Sequence, residues 1–104
     1  MKIVAITACT SGIAHTYLAK DRLEISALEL GIDMKIETQG ALGIRNRLEA
    51  KEIETADVVL IAADIDIKEK SRFQGKRVYN IPINKVVRLS KVILEKIKKE
   101  YEAS

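Results

Sequence analysis

The chain has 104 residues, of which 47% are hydrophobic and 32% charged, and its formal net charge is +3. These values predict one small soluble domain, residues 1–104, with a single core. No apolar run reaches the roughly 18 residues that would span a membrane, so we expect no direct membrane insertion. Aromatic residues are only 4% of the chain and Trp is absent, which argues against a nucleic-acid partner.

The first half of the chain predicts two strands around a helix. Residues 2–8 form a largely apolar run, which is typical of a central strand. A helix is expected from about residue 14 to residue 30, ending before Gly31. Residues 34–38 alternate between apolar and polar, which predicts a half-buried edge strand, and residues 39–43 predict a loop with two glycines.

The second half continues the alternation of helices and strands. A short helix near residues 50–56 precedes an apolar strand at 58–63, and an alternating strand near 77–81 precedes a helix at about 85–100. Two apolar strands flanked by two alternating ones predict an α/β fold. Its sheet would be small and open, with four parallel strands in the order 2-1-3-4 and helices on both faces.

The segment after the first strand carries the clearest chemical signal. Cys9, the only cysteine, lies where that strand ends and the helix begins, and a lone cysteine excludes an internal disulfide. Small residues at such a junction let backbone N–H groups bind an anion, and the helix dipole favours a thiolate. The pattern predicts phosphoryl transfer with Cys9 as the nucleophile. The predicted phosphate-binding residues are Thr10, Ser11, Gly12, Ile13, Ala14, His15 and Thr16.

Two loops are expected beside Cys9, because the carboxyl ends of parallel strands share one edge of the sheet. Gln39 and Gly40 follow the second strand, and they are predicted to line the neighbouring loop. Asp64 follows the third strand, and it is expected to brace the loop or, in a phosphatase, to act as a general acid. We expect no metal and no cofactor.

Two families place a cysteine in this way. Low-molecular-weight tyrosine phosphatases and related arsenate reductases have Cys, five residues, Arg, and then Ser or Thr. This chain has His15 and Thr16 at the last two positions. An Arg guanidinium binds phosphate through two hydrogen bonds, whereas an imidazole donates one at a time and is largely neutral at pH 7. The substitution therefore predicts a poor hydrolase.

Residues 9–16 more closely resemble the active-site loop of the IIB components of the bacterial phosphoenolpyruvate-dependent sugar phosphotransferase system, fructose-specific class. That loop commonly reads Cys-Pro-Thr-Gly-Ile-Ala-His-Thr, and this chain departs from it at Thr10 and Ser11. The resemblance covers nearly the whole chain, since it continues through Glu37-Thr38-Gln39-Gly40, Ala56-Asp57, Ala62-Ala63-Asp64 and Arg72-Phe73-Gly75-Lys76.

The resemblance implies that Cys9 accepts a phosphoryl group from a phosphohistidine of the IIA component. Cys9 would then pass the group to a sugar bound by the membrane IIC component. Fructose is the family's usual sugar, with mannitol or a mannosyl compound as alternatives. The resemblance further implies a cytoplasmic protein, peripheral to the inner membrane through IIC. Two alternative functions stay open: a small cysteine-dependent phosphatase, and a non-catalytic regulatory module that senses phosphorylation.

Overall fold

The computed structural model describes residues 1–10 and 13–103, with Ile13 described by its backbone alone, and it has five strands interspersed with helices. The elements are β1 (Lys2–Ala8), α1 (Ile13–Leu30), β2 (Asp33–Gly40), β3 (Gly43–Arg45), α2 (Ala50–Thr55), β4 (Val58–Ala63), a 3-10 helix (Lys70–Phe73), β5 (Val78–Ile81) and α3 (Ile83–Ala103). The helices predicted at 14–30, 50–56 and 85–100 correspond to α1, α2 and α3. No helix within these described ranges is long and apolar enough to cross a membrane.

The strands form one mixed sheet in the order β3-β2-β1-β4-β5. Strands β2, β1, β4 and β5 are parallel to their neighbours, whereas β3 is antiparallel to β2. The α/β class is confirmed. The prediction of four parallel strands in the order 2-1-3-4 is wrong, because a fifth, antiparallel strand extends the sheet beyond β2.

The missed strand lies in the segment that was predicted to be a loop. Strand β2 continues to Gly40 and β3 begins at Gly43, so the two glycines flank a tight hairpin turn. Gly43 has a φ of +87°, a conformation that strains any residue with a side chain. Strand β3 has only three residues, too few to show an alternating pattern. Because β3 covers β2, the prediction that β2 is an edge strand is also wrong.

Helices cover both faces of the sheet. Helices α1 and α3 pack on one face, where Leu23 and Leu94 are fully buried. Helix α2 and the 3-10 helix cover the other face through Ile53 and Phe73. Strands β1 and β4 are buried on both faces, which explains their nearly continuous apolar sequences.

The pairing of the parallel strands determines what lies beside Cys9. Ala8, the last residue of β1, is opposite Ala63 of β4 and Gln39 of β2. Because these strands run in the same direction, Cys9 leaves the sheet at the same edge as Asp64. The register alone therefore brings three separate segments of the chain together around the cysteine.

Candidate active site

Cys9 lies directly against Asp64 at the end of β1. Its side chain is only 4% exposed, and its Sγ donates to Asp64 Oδ2 at 3.4 Å. The other carboxylate oxygen, Asp64 Oδ1, accepts the backbone N–H of Thr10 at 3.3 Å. One carboxylate thus ties both the sulfur and the next residue to the end of β4.

The predicted phosphate-binding segment is described in part. Ser11 and Gly12 lie outside the described residues, as does the side chain of Ile13. Ala14 and His15 follow in the first turn of α1, and both are exposed. An exposed imidazole beside the cysteine loop is accessible to a partner protein.

Thr16 ends the predicted segment one turn into α1, and its side chain is buried with 1% exposure. Its hydroxyl has no hydrogen-bond partner among the described residues, and neither do those of Thr7 and Thr38, which are opposite each other on β1 and β2. A Cβ added to Gly40 would lie 3.8 Å from Thr16 Oγ1, so this hydroxyl is next to the end of β2. An acceptor group that reached these hydroxyls would gain buried hydrogen bonds.

A pocket of about 230 Å³ opens beside Cys9. It is lined by residues from three segments of the chain, namely Cys9, Thr10, Gln39, Gly40, Ala41, Gly43, Ile44, Ile65, Asp66 and Lys68. The predicted Gln39 and Gly40 thus share a pocket with Cys9. Sites that enclose a small molecule usually have about 300–1,000 Å³, so this pocket suits a group that a larger partner presents.

The side of the pocket formed by residues 65–68 is fixed to the sheet by Gln39, which is 5% exposed. Gln39 accepts the backbone N–H of Lys68 at 2.7 Å and donates to the Lys68 carbonyl at 3.1 Å. Its amide nitrogen also donates to Glu37 Oε2 at 2.8 Å. Two hydrogen bonds to one residue fix the main chain of Lys68 relative to β2.

Glu37 supports Gln39 from a position with no solvent exposure. Arg72 donates to both of its carboxylate oxygens, at 2.9 and 2.5 Å, and the Leu48 N–H donates to Oε1 at 2.9 Å. Burial by itself would raise the pKa of Glu37, but the hydrogen bonds from Arg72, Gln39 and Leu48 outweigh burial and hold that pKa below its ordinary value. Glu37 therefore joins β2, the segment before α2 and the 3-10 helix through one ionised carboxylate.

The sequence did not assign a role to Glu37, Lys68 or Arg72. Glu37 and Arg72 are 35 residues apart, and no local periodicity connects them. They stand in two of the segments that carry the family resemblance, which was the only signal for them. Lys68 follows the alternating residues 64–67 and belongs to no motif. Its position depends on a long-range contact with Gln39.

Residues 4–99 match the family described as "PTS system, Lactose/Cellobiose specific IIB subunit". The chain is 44% identical over 96 residues to the PTS system fructose-like EIIB component 2 of Escherichia coli (strain K12), a match that covers 92% of this chain and 91% of that protein. It is 46% identical over 95 residues to the PTS system fructose-specific EIIABC component of Bacillus subtilis (strain 168). That second match covers 91% of this chain but only 15% of the longer relative.

Solved structures of similar chains share the fold. The solution structure of the Enzyme IIB subunit of a PTS system from Escherichia coli K12 has a TM-score of 0.93 at 35% identity, covering 98% of this chain and 94% of that one. A domain of the fructose-specific IIABC component from Borrelia burgdorferi has a TM-score of 0.86 at 45% identity, covering 91% and 90%. The similarity thus extends over nearly the full length of these chains.

Proposed function

Because this chain belongs to the family of IIB subunits of the sugar phosphotransferase system, we propose that Cys9 is the residue on which it carries the phosphoryl group. The family transfers phosphoryl groups, and the relatives do not favour a phosphatase or a non-catalytic sensor. The observation that carries the proposal is the position of Cys9. It directly follows β1, which ends at Ala8, and it lines a pocket at the carboxyl ends of the parallel strands.

The proposed reaction has two steps, and each moves one phosphoryl group. In the first, Cys9 Sγ attacks the phosphorus of a phosphohistidine on the IIA component, so that an S–P bond forms and the N–P bond breaks. The proton lost by the thiol is balanced by the one that the released imidazole takes up. In the second, a sugar hydroxyl attacks the phosphorus, the S–P bond breaks, and the hydroxyl proton returns to the thiol.

Phosphorylation of Cys9 is expected to weaken the hydrogen bond between Asp64 and the cysteine loop. A phosphoryl group carries about −1.5 to −2 charges at neutral pH, and on Cys9 it would stand next to this carboxylate. Repulsion weakens the contact in which Asp64 now accepts the Thr10 N–H at 3.3 Å. The N–H so released becomes available to a phosphoryl oxygen, as the predicted role of Thr10 requires.

We further propose that the partners are a IIA component and a membrane IIC component, with the chain at the cytoplasmic face of the inner membrane. One related protein is named EIIABC and so carries the A, B and C designations in a single chain, and another, named EIIB'BC, carries B and C. The family description names lactose and cellobiose, whereas the relatives at 44–46% identity are named for fructose. The more specific similarity supports fructose or a fructose-like sugar as the substrate.

The phosphorylated chain alone should transfer almost nothing to free fructose. The pocket beside Cys9 has about 230 Å³, and none of its described lining residues is an aromatic on which a sugar ring could stack, so the acceptor must be presented by IIC. We expect rapid formation of fructose phosphate when membranes containing a fructose IIC component are added, followed as radiolabelled sugar phosphate.

Membranes without IIC are the matched control, and they should leave the chain phosphorylated. Efficient transfer to free fructose in their absence would contradict the carrier function and indicate a sugar kinase that needs no partner.

A further inference from the structure

Lys68 is the only basic residue among the described residues that line the pocket beside Cys9. Its exposed side chain forms no ion pair and no hydrogen bond with the part of the chain that the structure describes. The pocket also contains Asp66, and Asp64 contacts the sulfur from β4. Lys68 is therefore a positive charge without a described partner in a pocket whose other charged lining residue is Asp66.

The main chain of Lys68 is held more firmly than its exposed position suggests. Gln39 binds both its N–H and its carbonyl, Glu37 binds Gln39, and Arg72 binds Glu37 through both carboxylate oxygens. A fixed backbone with an unpaired ammonium is an arrangement suited to binding an anion with little loss of backbone entropy.

The transferred group needs such a charge. A phosphoryl group brings about −1.5 to −2 charges at neutral pH, and transfer is stabilised mainly by positive groups placed around its oxygens. In the cysteine loop, the exposed His15 stands where the tyrosine phosphatases have Arg. No Arg lines the described part of the pocket.

We propose that Lys68 is the cation that stabilises the phosphoryl group on Cys9, and that Gln39 is the positioning residue that holds Lys68 there. This inference rests on the proposed phosphoryl transfer. It adds a charged contact from the segment after β4 to the backbone N–H groups expected from the cysteine loop.

The effect of the Lys68 charge on Cys9, which the proposal requires, can be measured without any phosphoryl donor. Cys9 is alkylated by iodoacetate, which is an anion, and by iodoacetamide, which is neutral. The ratio of the two rates reports the local charge, because both reactions use the same thiolate population. We expect Lys68→Gln to lower this ratio roughly fivefold, the effect of one unit charge at short range in a mostly aqueous medium.

Three variants make the result specific. Lys68→Arg should keep the wild-type ratio, since the charge is retained. Lys70→Gln should also keep it, because Lys70 is an exposed lysine in the 3-10 helix that lines a different pocket. Gln39→Ala should lower the ratio, since it releases the main chain of Lys68. An unchanged ratio in Lys68→Gln would overturn the proposal.

A second measurement separates this inference from the proposed function. With a phosphorylated IIA protein as donor, Lys68→Gln should accept phosphate roughly fivefold more slowly than the wild type, and Lys68→Arg at a nearly normal rate. If the wild type accepts phosphate and Lys68→Gln matches it, the inference about Lys68 fails alone. If the wild type accepts none, the proposed function fails, and this inference, which depends on it, fails as well.

Discussion

Cys9→Ser is expected to abolish phosphorylation of the chain, lowering the rate by a factor on the order of 10³ or more, as removal of a nucleophile typically does. Serine is nearly isosteric with cysteine, so the buried site should keep its packing and its contact with Asp64. The hydroxyl stays protonated at neutral pH, however, because a carboxylate is not a strong enough base to ionise it. Intact-mass spectrometry after incubation with phosphorylated IIA gives the measurement.

The matched control for this prediction is His15→Gln, which removes the chain's only imidazole but leaves the sulfur. It should accept one phosphate, at a rate that depends on how much the exposed His15 contributes to the IIA contact. Retained phosphorylation of Cys9→Ser, on His15 or on any hydroxyl, would contradict the assignment of the nucleophile.

Glu37→Gln is expected to reduce the free energy of unfolding by about 3 kcal/mol. The carboxylate is fully buried and accepts from Arg72, Gln39 and the Leu48 N–H. A glutamine directs an NH₂ group toward these donors and leaves the Arg72 charge, which is only 16% exposed, without its partner. Urea unfolding at pH 7 measures the loss. Glu24→Gln is the control: Glu24 is 52% exposed in its pair with Lys20, so its loss should change stability by less than about 0.5 kcal/mol.

The same substitution should remove part of the acid sensitivity of the fold. The pKa of Glu37 is lower in the folded state than its ordinary value, so its stabilisation is complete above the ordinary pKa and is lost as the pH falls through the lowered one. The difference in stability between wild type and Glu37→Gln should therefore shrink between about pH 5 and pH 3. A difference that stayed constant over this range would contradict an ionised, hydrogen-bonded Glu37.

The parts of the fold that the sequence predicted are those with a clear pattern. Strands β1 and β4 are apolar because both of their faces are buried, and this placed them at the centre of the sheet. Strand β3 was missed, since three residues show no period and its pairing depends on the hairpin that Gly43 allows. The family resemblance to fructose-class IIB components, based on residues 9–16 and four further segments, is confirmed.

Part of the candidate site could also be predicted from the sequence, and part could not. The neighbourhood of Cys9 and Asp64 follows from strand ends, because parallel strands in register must bring their next residues to one edge. The position of Lys68 in the pocket does not follow from a strand end alone. It depends on two long-range contacts: Gln39 binds Lys68, 29 positions later, and Glu37 binds Arg72, 35 positions later. Contacts of this kind produce no periodic pattern in the sequence.

Phosphoryl transfer through Cys9 is tested most directly by locating the phosphate in the wild-type chain. The chain is incubated with phosphorylated IIA and digested, and the peptides are sequenced by mass spectrometry, with iodoacetamide added to mark any unmodified thiol. We predict a single phosphate, on Cys9, in the same molecules that escape alkylation. Phosphate on another residue, with Cys9 still fully alkylated, would contradict it.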